Sequence, residues 1–329
     1  MVQPDGRWGD RPGGYRVPAN VKRVILGSRG SRLALAQVEL VKKTLEQLST
    51  KPEINVRIVR TTGDRRLDIS LSHPGPKIDK GLFTKELEEA LLSQEIDVAV
   101  HSLKDLPTEL PPGLELAATL PRHDPVDVLI SKTASRLSDV PVDGLVATSS
   151  PRRARQIVAH RPDLQIVDIR GNVPTRIVKL LAEDSWNALV LAKAGLERLG
   201  YRLIGGRMQF ETHQLFVTDL WELLPAPGQG AIGLETRSND KEIHQFLGQI
   251  NDGPTWFCTS VEREFLRLLG GGCSLPLGIR TTLNGSYLTC EAIVFDESDK
   301  PRFGTVAGEY QSPVAAASEL LNRIYEKGK

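Results

Sequence analysis

The sequence predicts an α/β protein built as two strand–turn–helix lobes followed by a distinct α+β unit. Three observations carry that expectation. Short apolar strands run into Gly/Ser/Arg turns and then into segments of helical period. The same order recurs in GSRGSRLALAQ (27–37) and ATSSPRRARQ (147–156). Beyond Thr255 a helix gives way to alternating strands, the mark of a separate layer. At 329 residues the chain also exceeds one core of ordinary size, so two or three domains are expected.

Residues 1–20 are rich in Pro, Gly and Arg and lack an apolar run; they read as a flexible tail, not a secretion signal. Val21–Leu26 reads as a strand. From Ser31 onward Leu33, Leu35, Val38, Val41, Leu45 and Leu48 recur at near-helical spacing. The start of that helix offers unpaired N–H groups beside Arg29 and Ser31, which suits an anion, although Ser31 as a plain N-cap is the simpler account. Ile54–Arg60 alternates as a second strand. The polar stretch Thr61–Lys80 carries Gly63, Pro74, Gly75 and Pro76 and reads as a long loop such as an active-site lid. A helix over Thr84–Ser93 follows. The apolar strand Asp97–Val100 then enters the loop HSLKDLP, closed by Pro107. Ligands bind at the carboxyl ends of strands in open α/β sheets, and here His101, Ser102, Lys104 and Asp105 stand together.

Leu114–Leu120, Asp124–Ile130 and Leu145–Thr148 read as further strands, and Pro151 suits the first turn of the next helix. Gln165–Ile169 leads through RGNVPTR to a helix near Ile177–Ala182, and Ala188–Leu191 forms one more buried strand before a short helix ending near Gly200. Gly200–Val217 gives no clear periodic signal. Leu224–Glu235 reads as a Pro/Gly-rich crossing between lobes, a hinge, and then a strand. Arg29, Arg152, Arg153, Arg170, Arg176 and Arg198 therefore gather around the ligand-binding ends of successive strands. Guanidinium groups pair bidentately with carboxylates, so such a cleft fits a polycarboxylate or phosphate ligand.

The helix over Thr255–Leu269 stops at Gly270-Gly271-Gly272, and Cys273 follows. Strands over Ile279–Thr282, Tyr287–Phe295 and Phe303–Glu309 and a helix over Pro313–Glu326 complete the α+β unit. Cys258 and Cys290 fall inside a helix and a strand and read as core; Cys273, in a glycine loop, can expose its thiol. Composition removes several classes. Forty-two basic against 41 acidic residues, net +1, argue against a nucleic-acid binder. No apolar run approaches the roughly 18 residues of a membrane helix. Three cysteines without C-x-x-C spacing argue against a disulfide framework or metal site and fit a reducing cytoplasm. No G-x-x-x-x-G-K-[ST] run exists for a phosphate loop.

GSRGSRLALAQ, KGLFTKELEEALL, AVHSLKDLP, TSSPRRARQ, RGNVPTR, PGQGAIGLE and GGGCSLPLG stand in an order and spacing that, from Val21 onward, resembles the hydroxymethylbilane synthase (porphobilinogen deaminase) family. The resemblance implies two α/β lobes like those of periplasmic binding proteins, residues 21–120 with 231–249 and residues 121–230. A C-terminal α+β domain with a small antiparallel sheet, residues 250–329, would follow. It implies a cytoplasmic, monomeric transferase that joins four porphobilinogens head to tail on a dipyrromethane cofactor, losing ammonia each time. Linear hydroxymethylbilane would be released, with hand-off to uroporphyrinogen-III synthase. On the matching positions, the cofactor would be attached through a thioether to Cys273, and Asp105 would be the catalytic carboxylate. Cofactor and substrate would be bound by Arg29, Ser31, Lys80, Ser102, Lys104, Thr148, Ser149, Ser150, Arg152, Arg153, Arg170, Arg176, Arg198 and Gln229, while His101 is assigned a structural role. The competing reading is a non-catalytic two-lobed binding protein for an anionic ligand. It accounts for the arginines and hinge but not for Asp105 and Cys273 together.

Overall fold

The computed structural model describes residues 21–65, 83–271, 275–296 and 298–325, so Lys80, Cys273, the 1–20 tail and most of the 61–80 loop lie outside the described residues. The chain begins with β1 (Arg23–Ser28), α1 (Arg32–Glu46), β2 (Glu53–Ile58), the single turn α2 (Thr62–Arg65), α3 (Lys85–Leu92), β3 (Val98–Ser102) and β4 (Leu114–Thr119). It crosses into β5 (Asp127–Ser131), β6 (Leu145–Ala147), α4 (Pro151–His160), β7 (Gln165–Val167), α5 (Val173–Ala182), β8 (Trp186–Ala192) and α6 (Lys193–Arg198). A meander of β9 (Leu203–Ile204), β10 (Arg207–Phe210) and β11 (His213–Leu220) precedes the return through β12 (Ile232–Arg237) and α7 (Lys241–Gly248). The last part is α8 (Gly253–Leu268), β13 (Leu277–Asn284), β14 (Tyr287–Phe295), β15 (Pro301–Glu309) and α9 (Pro313–Tyr325).

These strands form three sheets. The first runs β2-β1-β3-β12-β4, with β1 parallel to β2 and β3 and the returning β12 antiparallel between β3 and β4. The second runs β7-β6-β8-β5-β11-β10-β9, parallel at β7-β6-β8 and antiparallel beyond. The third is the antiparallel β13-β14-β15. Because β12 completes the sheet of the first lobe after the second has been built, the chain crosses between lobes twice. That is the two-lobed α/β arrangement, with an α+β domain appended.

Each lobe buries the face that its sequence period marks. Val38, Val41 and Leu45 of α1 pack on Val24 and Leu26 of β1 and on Leu234 of β12. In the second lobe Ile177 and Leu180 of α5 meet Leu189 and Leu191 of β8. Val261 and Phe265 of α8 join Ala316, Ala317 and Leu320 of α9 against Ile279, Leu288 and Val294. Burial of such side chains is the main driving term, about 1.5–3 kcal/mol each.

Two expectations change. Gly200–Val217, without clear period in the sequence, folds as β9 and β10 with most of β11; Met208, Phe210, Leu215 and Val217 alternate into the core while Arg207, Gln209 and Gln214 point out. The period of two is present but broken by Gly205-Gly206, which turn the chain at positive φ. The strand expected over Asp97–Val100 instead begins at Val98 and reaches Ser102, because Ile232 and Gly233 of β12 pair with Ser102 and His101. His101 and Ser102 thus belong to the sheet rather than to the loop.

The crossings and the C-terminal domain are tied by one buried carboxylate. Glu262 on α8 accepts both guanidinium arms of Arg122 at 2.7 and 3.1 Å, the Gly228 N–H at 2.7 Å and the Thr281 hydroxyl at 2.5 Å. All its bonding capacity is taken up by groups from three parts of the fold, which is how a fully buried charge is made tolerable.

Candidate active site

Asp105 sits at the mouth between the lobes. It closes a one-turn 3-10 helix, Leu103–Asp105, directly after β3, with Leu103 and Leu106 buried beneath it and its own carboxylate exposed to the cleft. The second crossing presses on this turn from behind. A Cβ on Gly228, at φ +72°, would stand 3.2 Å from the Leu103 carbonyl carbon and the Lys104 nitrogen. Gly230, at φ +84°, passes so close to the first crossing that a Cβ would meet the His123 carbonyl oxygen at 2.4 Å. Both positions demand glycine for conformation and for space.

On the first lobe, Arg29, Ser31, Gln37, Phe83, Ser102 and Asp105 line one small cavity of about 70 Å³. Arg29 lies 4.2 Å over the Phe83 ring, an attraction between the cation and the ring's negative face. The Ser31 hydroxyl accepts from Ala34 N–H and so caps α1 as expected of a plain cap. Ser102 is fixed at 2.8 Å to the side-chain amide of Gln37, which reaches it from α1. His101, also facing this cavity, is almost fully buried with its Nε2 2.8 Å from Glu235 of β12, a core pair behind the turn. A roomier groove of about 840 Å³, bordered by Tyr201 and Trp221 on the second lobe, contains none of the residues singled out in the sequence.

The second lobe brings α4 and α5 to the same cleft by their N-termini. Ser150 caps α4 by accepting from Arg153 N–H, and Asn172 caps α5 by accepting from Thr175 N–H. Thr148 is buried and accepts from Ser150 N–H, while the Ser149 hydroxyl accepts from Ile169 N–H and donates to its carbonyl. These three hydroxyls therefore hold the shape of the turn. Arg176 donates to the Gly171 carbonyl at 2.7 Å and Arg198 to the Gly230 carbonyl at 2.6 Å; Arg170 lies 3.4 Å from Asp168.

Arg152 and Arg153 reach a partner that the sequence reading missed. Their guanidinium groups flank Asp127 of β5, each at 2.7 Å, and Gln229 donates to the same carboxylate at 2.8 Å. Arg152 also donates to the Leu224 carbonyl and Arg153 to that of Val190. Burial pushes the Asp127 carboxyl up, but the two cations outweigh it and hold the group well below the usual carboxylate range. The signal was an acid inside the apolar run VDVLI, where an unpaired charge would not be tolerated.

Charge accumulates around Asp105. Lys104 keeps some accessible surface yet lies deep between the lobes. Burial pulls its ammonium down to about 8, against the opposing pull of Asp105, with Arg153 and Arg152 adding repulsion. Arg176 is drawn down to about 10 by burial and then by Arg153 and Arg170, with Asp168 and Asp105 opposing. Burial likewise lowers Arg198 to about 10. Asp105 on one lobe thus feels cations from both. Arg152 Nε, Arg153 Nε and Arg198 Nε are buried without a hydrogen-bond partner among the described residues, as is Gln229 Oε1. Among the same residues no group of three or more His, Cys, Asp or Glu side chains could hold a metal ion, and no helix is long and apolar enough to cross a membrane.

Two family models match the chain: the porphobilinogen deaminase dipyrromethane cofactor-binding domain over residues 24–245 and the porphobilinogen deaminase C-terminal domain over residues 256–326. A porphobilinogen deaminase of Desulforudis audaxviator is 44% identical over 309 residues, covering 93% of this chain and 96% of the relative. One of Syntrophomonas wolfei is 41% identical over 311 residues, covering 94% and 97%.

Proposed function

The chain belongs to the porphobilinogen deaminase family, and on that footing we propose how its residues divide the reaction among them. It is a transferase that condenses four porphobilinogens head to tail with loss of ammonia, extending a dipyrromethane cofactor, and then releases linear hydroxymethylbilane by hydrolysis.

The side chains present fit that cofactor. Each pyrrole ring carries an acetate and a propionate. The cleft answers with more cations than its carboxylates, Asp105, Asp127 and Asp168, can offset, including buried guanidinium N–H groups of Arg152, Arg153 and Arg198 that no described residue engages. Arg29, Lys104, Arg176 and Arg198 would hold the carboxylates, with Ser31, Ser102 and the α4 and α5 N-termini around them. When bound, the cofactor supplies the nucleophilic pyrrole carbon from which the chain is extended. Arg152, Arg153 and Gln229 keep one side toward Asp127, so their share of ligand binding falls to the atoms that Asp127 does not take. Attachment is assigned to Cys273. In support, Cys258 and Cys290 are buried, and burial pushes both thiols up, away from the reactive thiolate.

The observation that carries the mechanism is the exposed Asp105 carboxylate at a strand end, within the field of Lys104 beside it and of Arg176 from the other lobe. As ammonia leaves the aminomethyl carbon of porphobilinogen, positive charge spreads onto the ring nitrogen. A fixed carboxylate there stabilises that charge as it develops. The Asp105 carboxylate also accepts the proton lost from the joined ring carbon. A binding protein would need the arginines but not this carboxylate. Purified protein given porphobilinogen alone, in the presence of a chelator, should release four ammonia for each hydroxymethylbilane. Tight uptake of porphobilinogen without ammonia release would favour the binding-protein reading instead.

Lys104 gives the reaction a pH signature. Its ammonium is protonated below about 8 and lost above. KM for porphobilinogen should therefore rise between about pH 7 and 9, one unit either side of that pKa. Lys104→Arg, always charged, should flatten the rise. A KM that climbs equally in both proteins would remove Lys104 from ligand binding. A cytoplasmic location completes the reading, supported by the free thiols of Cys258 and Cys290; a monomer that hands its product to uroporphyrinogen-III synthase is what the family resemblance implies.

A further inference from the structure

The turn that carries Asp105 is gripped from the C-terminal domain. Leu106 and Pro107 follow Asp105 and leave the turn with two outward carbonyl oxygens. Arg263 on α8 donates to both, Nη1 to Leu106 at 2.9 Å and Nη2 to Pro107 at 2.7 Å. A guanidinium is planar, so two acceptors on consecutive residues are fixed in both distance and orientation. Its neighbour on the helix, Glu262, is anchored to Arg122, Gly228 and Thr281, so the helix from which Arg263 reaches cannot shift alone. Gly228 packs against the other side of the turn, at Leu103 and Lys104. After α8 the chain continues through Gly270 and Gly271 to Cys273.

We propose that Arg263 is a positioning residue for the condensation: it sets the Asp105 carboxylate relative to the domain that carries the cofactor cysteine. The inference rests on Asp105 being the catalytic carboxylate. Arg263 acts through the backbone carbonyls of Leu106 and Pro107, one and two residues beyond Asp105. Without its fork the turn keeps Leu103 and Leu106 in the core but loses the restraint on its open side. A displacement of roughly 1 Å at a reacting group can cost about 100-fold in rate.

The test compares Arg263→Met, which keeps an apolar stem and removes both donors, with Arg263→Lys, which returns one. In holoenzyme verified by intact mass, Arg263→Met should lower kcat about 10- to 100-fold and leave KM within about threefold. Arg263→Lys should recover part of kcat. Introduced into Asp105→Glu, whose carboxylate is already displaced, Arg263→Met should cost less than in the native chain. Unchanged kcat in Arg263→Met overturns the proposal. So does a fall in kcat that comes with a matching rise in KM, a lower unfolding temperature and no recovery by lysine, since that describes packing alone. Asp105→Asn, measured alongside, separates the two readings. If it stays active, the role of Asp105 fails; if it is inactive while Arg263→Met is fully active, only the link through Arg263 fails.

Discussion

Asp105→Asn should fold, load its cofactor and lose turnover by about 1,000-fold or more, the combined scale of one electrostatic stabiliser and one general base. The substitution preserves size and removes only the charge. The side chain is exposed to the cleft and rests on a turn whose stability comes from Leu103, Leu106 and the carbonyl bonds to Arg263, none of which it disturbs. The cations that feel Asp105, Lys104 and Arg176, would keep binding carboxylates. KM should accordingly change far less than kcat. Steady-state assay with circular dichroism and intact mass checks all three parts. Near-normal turnover in correctly loaded protein would remove Asp105 from the chemistry.

Asp127→Asn should instead act on the fold. The native carboxylate is fully buried between Arg152 and Arg153 and accepts from Gln229. Replacing it by a neutral amide leaves two buried guanidinium charges facing each other, and breaking such a buried pair costs about 3–5 kcal/mol. The pH dependence has the sign of a depressed carboxylate. The stabilisation is present at pH values above the ordinary carboxylate range and is lost as pH falls through it toward the lower folded-state value. Urea unfolding of the native and Asp127→Asn proteins at neutral pH and at about pH 3 measures both effects, since the difference between the two proteins should shrink in acid. A neutral-pH difference under about 1 kcal/mol would show that the arginines have another counter-charge, within the range of ordinary surface changes.

Much of this architecture is legible in the sequence because local signals agree with the global fold. Ser31, Ser150 and Asn172 each precede a helix and each caps it, and Pro151 stands in a first turn. HSLKDLP announces a strand end. Ser102, Lys104 and Asp105, expected together at a strand end, occupy the end of β3 and the turn that follows it. The β9–β11 meander is harder to see, since its strands expose polar residues on one face and a glycine turn interrupts the alternation.

What the sequence cannot display is pairing across distance. Asp127 meets Arg152 and Arg153 inside the second lobe, His101 meets Glu235 only because β12 returns beside β3, and Glu262 meets Arg122 only where α8 packs on the first crossing, over separations of tens to more than a hundred residues. Arginine in a motif therefore reads as ligand-binding by default. Two of the six cleft arginines instead spend much of their bonding capacity on a structural carboxylate. Arg263 shows the converse. It stands in an amphipathic helix with no motif to mark it, and only the backbone carbonyls of Leu106 and Pro107, far away in the chain, reveal its contact.

The intact mass of the purified, denatured protein tests the central claim most directly. The account predicts the chain mass plus one dipyrromethane in the native protein, a ladder of one-pyrrole increments on brief exposure to porphobilinogen, and the bare chain mass in Cys273→Ala. Active protein with the bare chain mass, or Cys273→Ala that still carries the added mass, would contradict it.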